Sequence, residues 1–396
     1  MQKKFPDGFY WGAATASYQV EGGIENNDWA KSALEGYVPT CGLACDHFNR
    51  YEEDFDLAKE LGHNAHRFSI EWARIEPEEG KFDQEAIEHY RRVLMALRDR
   101  GITPFVTIWH WTLPIWFVEK GGWVSKDAEG HFLRYVSLLT NEYEDLVKFW
   151  VVYNEPETPV RHGYVIGDRP PHHKLRIFTA LKVIKKIAKV YKKTYQVIKN
   201  IDPEAQVGFS ESLVYFEPYE NTLVNRLAVK IIKWWRNNPE YDVYASNCDF
   251  IGLQYYFHTR VRINLFKSKW GIQFNDNERV SDFGWEIFPE GIYHILLSLK
   301  KYKKPIYITE NGLADADDKY RSDFIREHLI WCHKAFEDGV DLRGYLHWSL
   351  MDNYEWTRGF EMRFGLIKVD YETLERKIRP SAYVYKEICE TNVVVE

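Results

Sequence analysis

Basic residues are too few in this chain for a dedicated nucleic-acid binder. Lys and Arg total 52 against 59 Asp and Glu, a formal net charge of -7, whereas such binders present a basic face. Cysteine is scarce as well. Five Cys in 396 residues is an odd count at low density, which argues against a disulfide framework and for a reducing compartment, so a cytoplasmic location is expected. Cys41 and Cys45 lie close together, but no Cys/His pair elsewhere has zinc spacing. They read as loop thiols, and no metal is expected. No run of about eighteen apolar residues exists, so no membrane-spanning helix is expected. The opening residues, MQKKFPDGFYWGA, are basic but lack the apolar stretch of a secretory signal. Neither nucleic acid nor membrane is therefore expected as a partner. Internal repeats, low-complexity tracts and Pro/Ser-rich linkers are also missing, which predicts one domain over residues 1–396.

Aromatic residues, in contrast, are abundant, at 16% with 15 Trp and 26 Tyr. A large core explains this, and so does a sugar site, where flat rings offer wide contact area and a π quadrupole. Composition does not choose between them.

Apolar runs alternate with amphipathic stretches from end to end. Strands are predicted over 9–16, 63–70, 102–110, 149–154, 205–211, 249–256, 305–310 and 342–350. Between them, 51–61, 84–100 and 178–200 carry apolar residues three and four apart, the helical period. Gly62 and Gly101 each follow a helix and precede a strand, as helix exits do. Eight strands alternating with helices imply a parallel sheet. A doubly wound sheet would carry a Gly-rich phosphate loop after its first strand, and Gly12, Gly22 and Gly23 lack that spacing. The fold class expected is therefore α/β, a single closed (β/α)8 barrel. The stretches 213–247 and 257–285 are too long for simple loops and predict extra elements at the rim.

Catalytic groups of such a barrel sit at the C-terminal ends of its strands. Those ends hold Gln19 and Glu21, Arg67, His110 and Trp111, Asn154 and Glu155, Tyr255 and Tyr256, Glu310 and Asn311, and Trp348 followed by Glu355 and Trp356. Apolar strands that each end in a charge or amide are wasteful for packing alone. Two carboxylates stand out. Glu155 follows FWVVYN and Glu310 follows PIYIT, on strands four and seven. Glycoside hydrolysis needs two carboxyl groups flanking the scissile bond, about 5–5.5 Å apart in retaining enzymes and about 6.5–9.5 Å in inverting ones.

The motifs FPDGFYWGAATASYQVEGG, HRFSIEWARIEP, WHWTLP, NEP, FGWEIFPEGIY, ITENGLAD and HWSLMDNYEWTRGFEMRFGL, in that order from residue 5 to residue 366, resemble those of glycoside hydrolase family 1 β-glycosidases. That resemblance implies a retaining β-glycosidase acting on terminal β-glucosides, and on β-galactosides and β-fucosides. It implies Glu310 as nucleophile, Glu155 as general acid/base, and Arg67 as a cation that keeps Glu310 ionised. Asn154 resembles the amide on the sugar 2-hydroxyl, and Tyr256 the hydroxyl on the nucleophile. Gln19, His110, Trp111, Glu355 and Trp356 resemble the group binding the other hydroxyls, and Trp348 the aromatic floor. No cofactor is implied, and the partners are β-glycosides. A carboxylate at Glu355 is expected to repel a 6-phosphate. Glu155 argues against the thioglycosidases of the family, which lack this acid.

Some positions read as structural. Tyr255 is expected to pack, Glu21 to be structural, and Glu71, Glu76 and Glu361 to be ordinary surface or loop acids. A neutral core histidine is the plain alternative for His110. The chain departs from the family where Gln254 replaces an Asn, and in short loops near 31–45, 165–176 and after Glu211, which predict an open aglycone side. Two rival functions stand beside the hydrolase. One is a sugar-binding barrel without catalysis; the other is a transglycosidase that shares the covalent intermediate.

Overall fold

The structure, a computed structural model, describes residues 2–236, 240–263, 272–274 and 279–396. Eight parallel strands close into a barrel. In chain order they are β1 (Tyr10–Ala14), β2 (Ala65–Ser69), β3 (Thr103–Trp109), β4 (Phe149–Asn154), β5 (Gln206–Ser212), β6 (Phe250–Gln254), β7 (Ile306–Asn311) and β8 (Leu342–Trp348). Each pairs with its sequence neighbours, and β8 closes on β1 with Gly344 opposite Tyr10 and Trp348 opposite Ala14. All eight fall inside or within a residue of the stretches the apolar runs predicted. The ladders of β4 with β5 and of β7 with both neighbours shift register near their C-terminal ends. These are the ends that carry Glu155 and Glu310, and such irregularities re-aim side chains.

The barrel is a packed core, not a pore. Tyr10, Phe105, Phe149, Phe250 and Tyr307 fill its lower interior together with Val151 and Leu346. Phe105 and Phe149 stack at 4.3 Å with 14° between their planes. Gly208 leaves the room this needs, since a Cβ there would lie 2.5 Å from the Phe250 ring. Strand side chains on one face recur every second residue. Arg67 and Thr107, two residues beyond Ala65 and Phe105, accordingly form a polar layer above the rings, with Arg67 Nε donating to Thr107 Oγ1 at 3.0 Å. A large share of the aromatic content is thus core.

Helices wrap the outside with their apolar faces inward. Gln84–Asp99 buries Ile87, Tyr90, Val93, Leu94 and Leu97, and the Asp83 side chain caps its start. Gly62 and Gly101, at φ +74° and +68°, supply the left-handed residue that ends a helix without a Cβ clash.

The long stretches do hold extra elements. Residues 213–247 form a strand Tyr215–Pro218 and helices Leu223–Arg236 and Tyr241–Ala245. In 257–285 the strands His258–Ile263 and Ile272–Phe274 complete a three-stranded sheet, while 264–271 and 275–278 lie outside the described residues. The five cysteines are buried and unpaired as disulfides. No described helix is long and apolar enough to cross a membrane.

Candidate active site

Ten of the eleven site residues named from the sequence line one cavity of about 150 Å³ at the C-terminal mouth of the barrel. These are Gln19, His110, Trp111, Asn154, Glu155, Tyr256, Glu310, Trp348, Glu355 and Trp356. Arg67 lies beneath it, fully buried, and reaches up to two of them. A larger cavity of about 470 Å³ adjoins and shares Trp111 and Arg169, but neither Glu155 nor Glu310 lines it. The chemistry belongs to the smaller one.

Glu310 ends β7 and is held at both oxygens. The Arg67 guanidinium pairs with Oε1, and Tyr256 Oη donates to Oε2 at 2.8 Å. The second Arg67 terminal nitrogen donates to Asn154 Oδ1 at 2.6 Å. Gln254 Nε2 also donates to that oxygen, at 2.6 Å, so the extra methylene relative to Asn still reaches the network. Two donors on Oδ1 fix the Asn154 amide, and its Nδ2 meets His110 Nε2 at 3.1 Å. His110 is neutral, because burial and then Arg67 push its pKa well below the usual range. With Nε2 accepting, the proton sits on Nδ1. That Nδ1, and Gln19 Oε1, are buried with no protein partner among the described residues. A donor and an acceptor left open in one cavity fit hydroxyl groups. His110 lines this cavity beside Asn154, Glu155 and Glu310, which is where it differs from a histidine of the core.

The aromatic walls are continuous. His110 lies nearly parallel to Trp348 and Trp356, at 6.2 Å and 6.0 Å, and Trp111 packs on Trp356 at 4.5 Å. Trp111 Nε1 donates to the Asn154 carbonyl at 3.1 Å, tying β3 to β4. Trp111, Glu155 and Trp356 have φ of +75°, +42° and +52°, a region that side chains with a Cβ rarely occupy. Strain of this kind collects at functional sites.

The electrostatics depart from the sequence expectation in two places. Arg67 was expected to hold Glu310 ionised. Burial outweighs it and pushes Glu310 up to about 7, with Arg67 and Tyr256 pulling down and Glu155 pushing up. Glu155 is also raised, by burial first, against the pull of Arg236, Thr158 and Arg169. Each carboxylate disfavours charge on the other. Glu355 was expected to be a fixed negative charge. Burial pushes it up to about 8, with Arg169 as the main counterweight, so burial favours its neutral form.

Glu71 and Glu76 are not surface acids. Both are buried. Glu71 accepts from Ser17 Oγ at 2.9 Å and Thr112 Oγ1 at 2.9 Å, and Glu76 takes Trp72 Nε1 at 2.9 Å and the Arg134 guanidinium. They pin the loops after β1, β2 and β3. Glu361 is exposed. Glu21 pairs with Arg74 at 2.8 Å and accepts from Tyr90 at 2.7 Å, and Tyr255 donates to the Phe288 carbonyl at 2.7 Å, so both are structural.

Scanning strand ends missed three cations of the pocket wall, Arg358 beside Trp356 and two from farther away. Arg169 comes from the loop after β4 and lies 4.4 Å from the Trp111 ring centroid. Arg236 closes the helix Leu223–Arg236. Both line the cavity, and neither sits at a position that strand periodicity can flag. Phe257, Phe283, Trp285 and Phe364 add aromatic surface to the wall.

The sequence profile of Glycosyl hydrolase family 1 matches residues 1–237 and 236–394. A 1,4-beta-D-glucan glucohydrolase of Thermotoga neapolitana is 34% identical, over 98% of this chain and 99% of its own. A beta-galactosidase of Sulfolobus acidocaldarius is 31% identical, over 99% and 96%. The solved beta-glycosidase from Pyrococcus horikoshii superposes with a TM-score of 0.92 at 38% identity, over 100% of this chain and 97% of that one. The chain belongs to glycosyl hydrolase family 1. It is a β-glycosidase, a glycoside hydrolase of the retaining type.

Proposed function

We propose that Glu310 is the nucleophile and Glu155 the general acid/base of a hydrolase for neutral β-glycosides of the β-glucoside type. The observation that carries this is the unequal holding of two buried carboxyl groups in one cavity. Glu310 has a donor on each oxygen, which aims it and favours its ionised form. Burial raises both carboxyl groups, so the paired donors on Glu310 are what favour it as the ionised member and leave Glu155 as the one to start protonated.

In the first step a Glu310 oxygen attacks the anomeric carbon. The bond to the leaving oxygen breaks, and that oxygen takes the Glu155 proton. In the second step Glu155 takes a proton from water, the water oxygen attacks the anomeric carbon, and the bond to Glu310 breaks. Two inversions give net retention. The Glu310 charge vanishes in the intermediate, which eases loss of the Glu155 proton. No metal or organic cofactor enters either step.

Asn154 keeps a second amide hydrogen for the sugar 2-hydroxyl. His110 Nδ1, Gln19 Oε1 and Glu355 take the other hydroxyls, and Trp348 stacks on the ring. Glu355 beside Gln19, at 3.4 Å, accepts from or donates to a neutral hydroxyl in either protonation state, so glucosides, galactosides and fucosides all fit. The chain acts as one barrel domain. Five unpaired thiols support a reducing, cytoplasmic setting.

Glu310→Gly tests the scheme. Turnover of a nitrophenyl β-glucoside should fall at least ~10⁴-fold, and azide should restore product of inverted configuration. Retained activity without azide would remove Glu310 from the mechanism.

A further inference from the structure

Large apolar side chains exposed on this molecule are not scattered. Apart from Met95, Tyr383 and Val395, those among the described residues lie in the stretches that follow β1, β3, β4 and β5 around the catalytic mouth, or open the long helix after β4. The densest group is on the helix Leu223–Arg236. Leu223, Leu227, Ile231 and Trp234 are 77%, 59%, 58% and 65% exposed. Their spacing of four, four and three residues puts them in one stripe along the helix.

The helix does not need this stripe for its own packing. Its other face already buries Ala228, with Val229 and Ile232, against Phe216 and Val261 of the rim sheet. A second, outward apolar face on a packed helix marks an interaction surface. Beside the stripe runs a row of exposed cations, Arg226, Lys230 and Lys233, at the same helical spacing. No Asp or Glu occurs between Leu223 and Arg236, in a chain whose net charge is -7. An apolar stripe bordered by Lys and Arg alone is the pattern of a helix that lies in a bilayer interface. A symmetric contact with a second copy would set this basic row against itself or close to itself, which costs affinity. An anionic headgroup layer matches it.

We propose that the helix Leu223–Arg236 docks this protein on an anionic phospholipid surface. The stripe enters the acyl boundary, and Arg226, Lys230 and Lys233 meet the headgroups. The lack of a spanning helix is no obstacle, because the helix lies on the surface. Arg236, at the end of the same helix, lines the catalytic cavity, so docking brings the sugar pocket beside the bilayer.

The test is co-sedimentation of the full chain with vesicles of phosphatidylcholine containing phosphatidylglycerol, and with phosphatidylcholine alone. Binding to the anionic vesicles is expected, weakening as salt rises. Leu227→Glu, Ile231→Glu and Trp234→Glu together should weaken it at least ~10-fold, and Lys230→Glu with Lys233→Glu about as much. Hydrolysis of a soluble nitrophenyl β-glucoside should stay unchanged in both variants, which also reports that they fold. The charge-swapped protein keeps the question open to test if the triple variant does not fold. No sedimentation with anionic vesicles would overturn the proposal, and so would equal binding by the variants. Equal binding to both vesicle types in salt would overturn the anionic assignment. A dimer that the triple substitution splits, without vesicle binding, would give the face to a second copy.

Discussion

Replacing Tyr256 by Phe probes the catalytic pair with a single atom. The phenol donates to Glu310 Oε2 at 2.8 Å, and Arg67 holds the other oxygen. Burial pushes Glu310 up to about 7 in spite of both partners. A hydrogen bond to a charged group contributes about 1.5–3 kcal/mol, and one pKa unit corresponds to about 1.4 kcal/mol. Losing the donor would then shift Glu310 by about one to two units, toward the lower figure where water takes its place. The donor stabilises the ionised form, so its removal raises the pKa. Glu310 must be ionised to attack, and the acid limb of kcat/KM therefore moves to higher pH. At pH ~6 the variant should be at least ~10-fold slower, with a smaller loss on the alkaline side. The assay is the pH profile of kcat/KM for a nitrophenyl β-glucoside, wild type against variant, with thermal unfolding as the folding control. An acid limb that stays in place while the whole profile drops evenly would refute the argument, because Tyr256 would then act on something other than the charge of Glu310.

Glu155→Ala should leave the first step nearly intact for a nitrophenyl leaving group and slow the second, giving a burst followed by a slow rate that azide accelerates; a missing burst with an unchanged alkaline limb would exclude it as acid/base. Glu355→Gln should raise the unfolding midpoint more at pH ~9 than at pH ~5. The sign follows from burial, which raises this carboxyl to about 8, so its native-state contribution is lost as pH rises through that value; a pH-independent difference would contradict it. Phe105→Ala should cost about 3–5 kcal/mol in urea unfolding, since Phe105 is fully buried and stacked on Phe149 inside the barrel, and a loss under ~1 kcal/mol would mean that the interior collapses to fill the space.

The sequence by itself determined the strands, their number and their order. Parallel strands buried on both faces read as short apolar runs, and Tyr10–Ala14 through Leu342–Trp348 were all visible in that way. It also placed Glu155, Glu310 and their neighbours at strand ends, because strand periodicity and barrel polarity together say where the mouth is. Three things it left undetermined. Burial is a property of the whole molecule, so Glu71 and Glu76 looked like loop acids although the folded loops enclose them. The balance between burial and a neighbouring cation depends on depth as well as on residue type, so Arg67 was legible as a partner of Glu310 while the net upward shift was not. Arg169 and Arg236 reach the pocket from a loop and from a helix end far along the chain. No local period links such residues to the site, and only the closing of the barrel brings them to the same wall as Glu155.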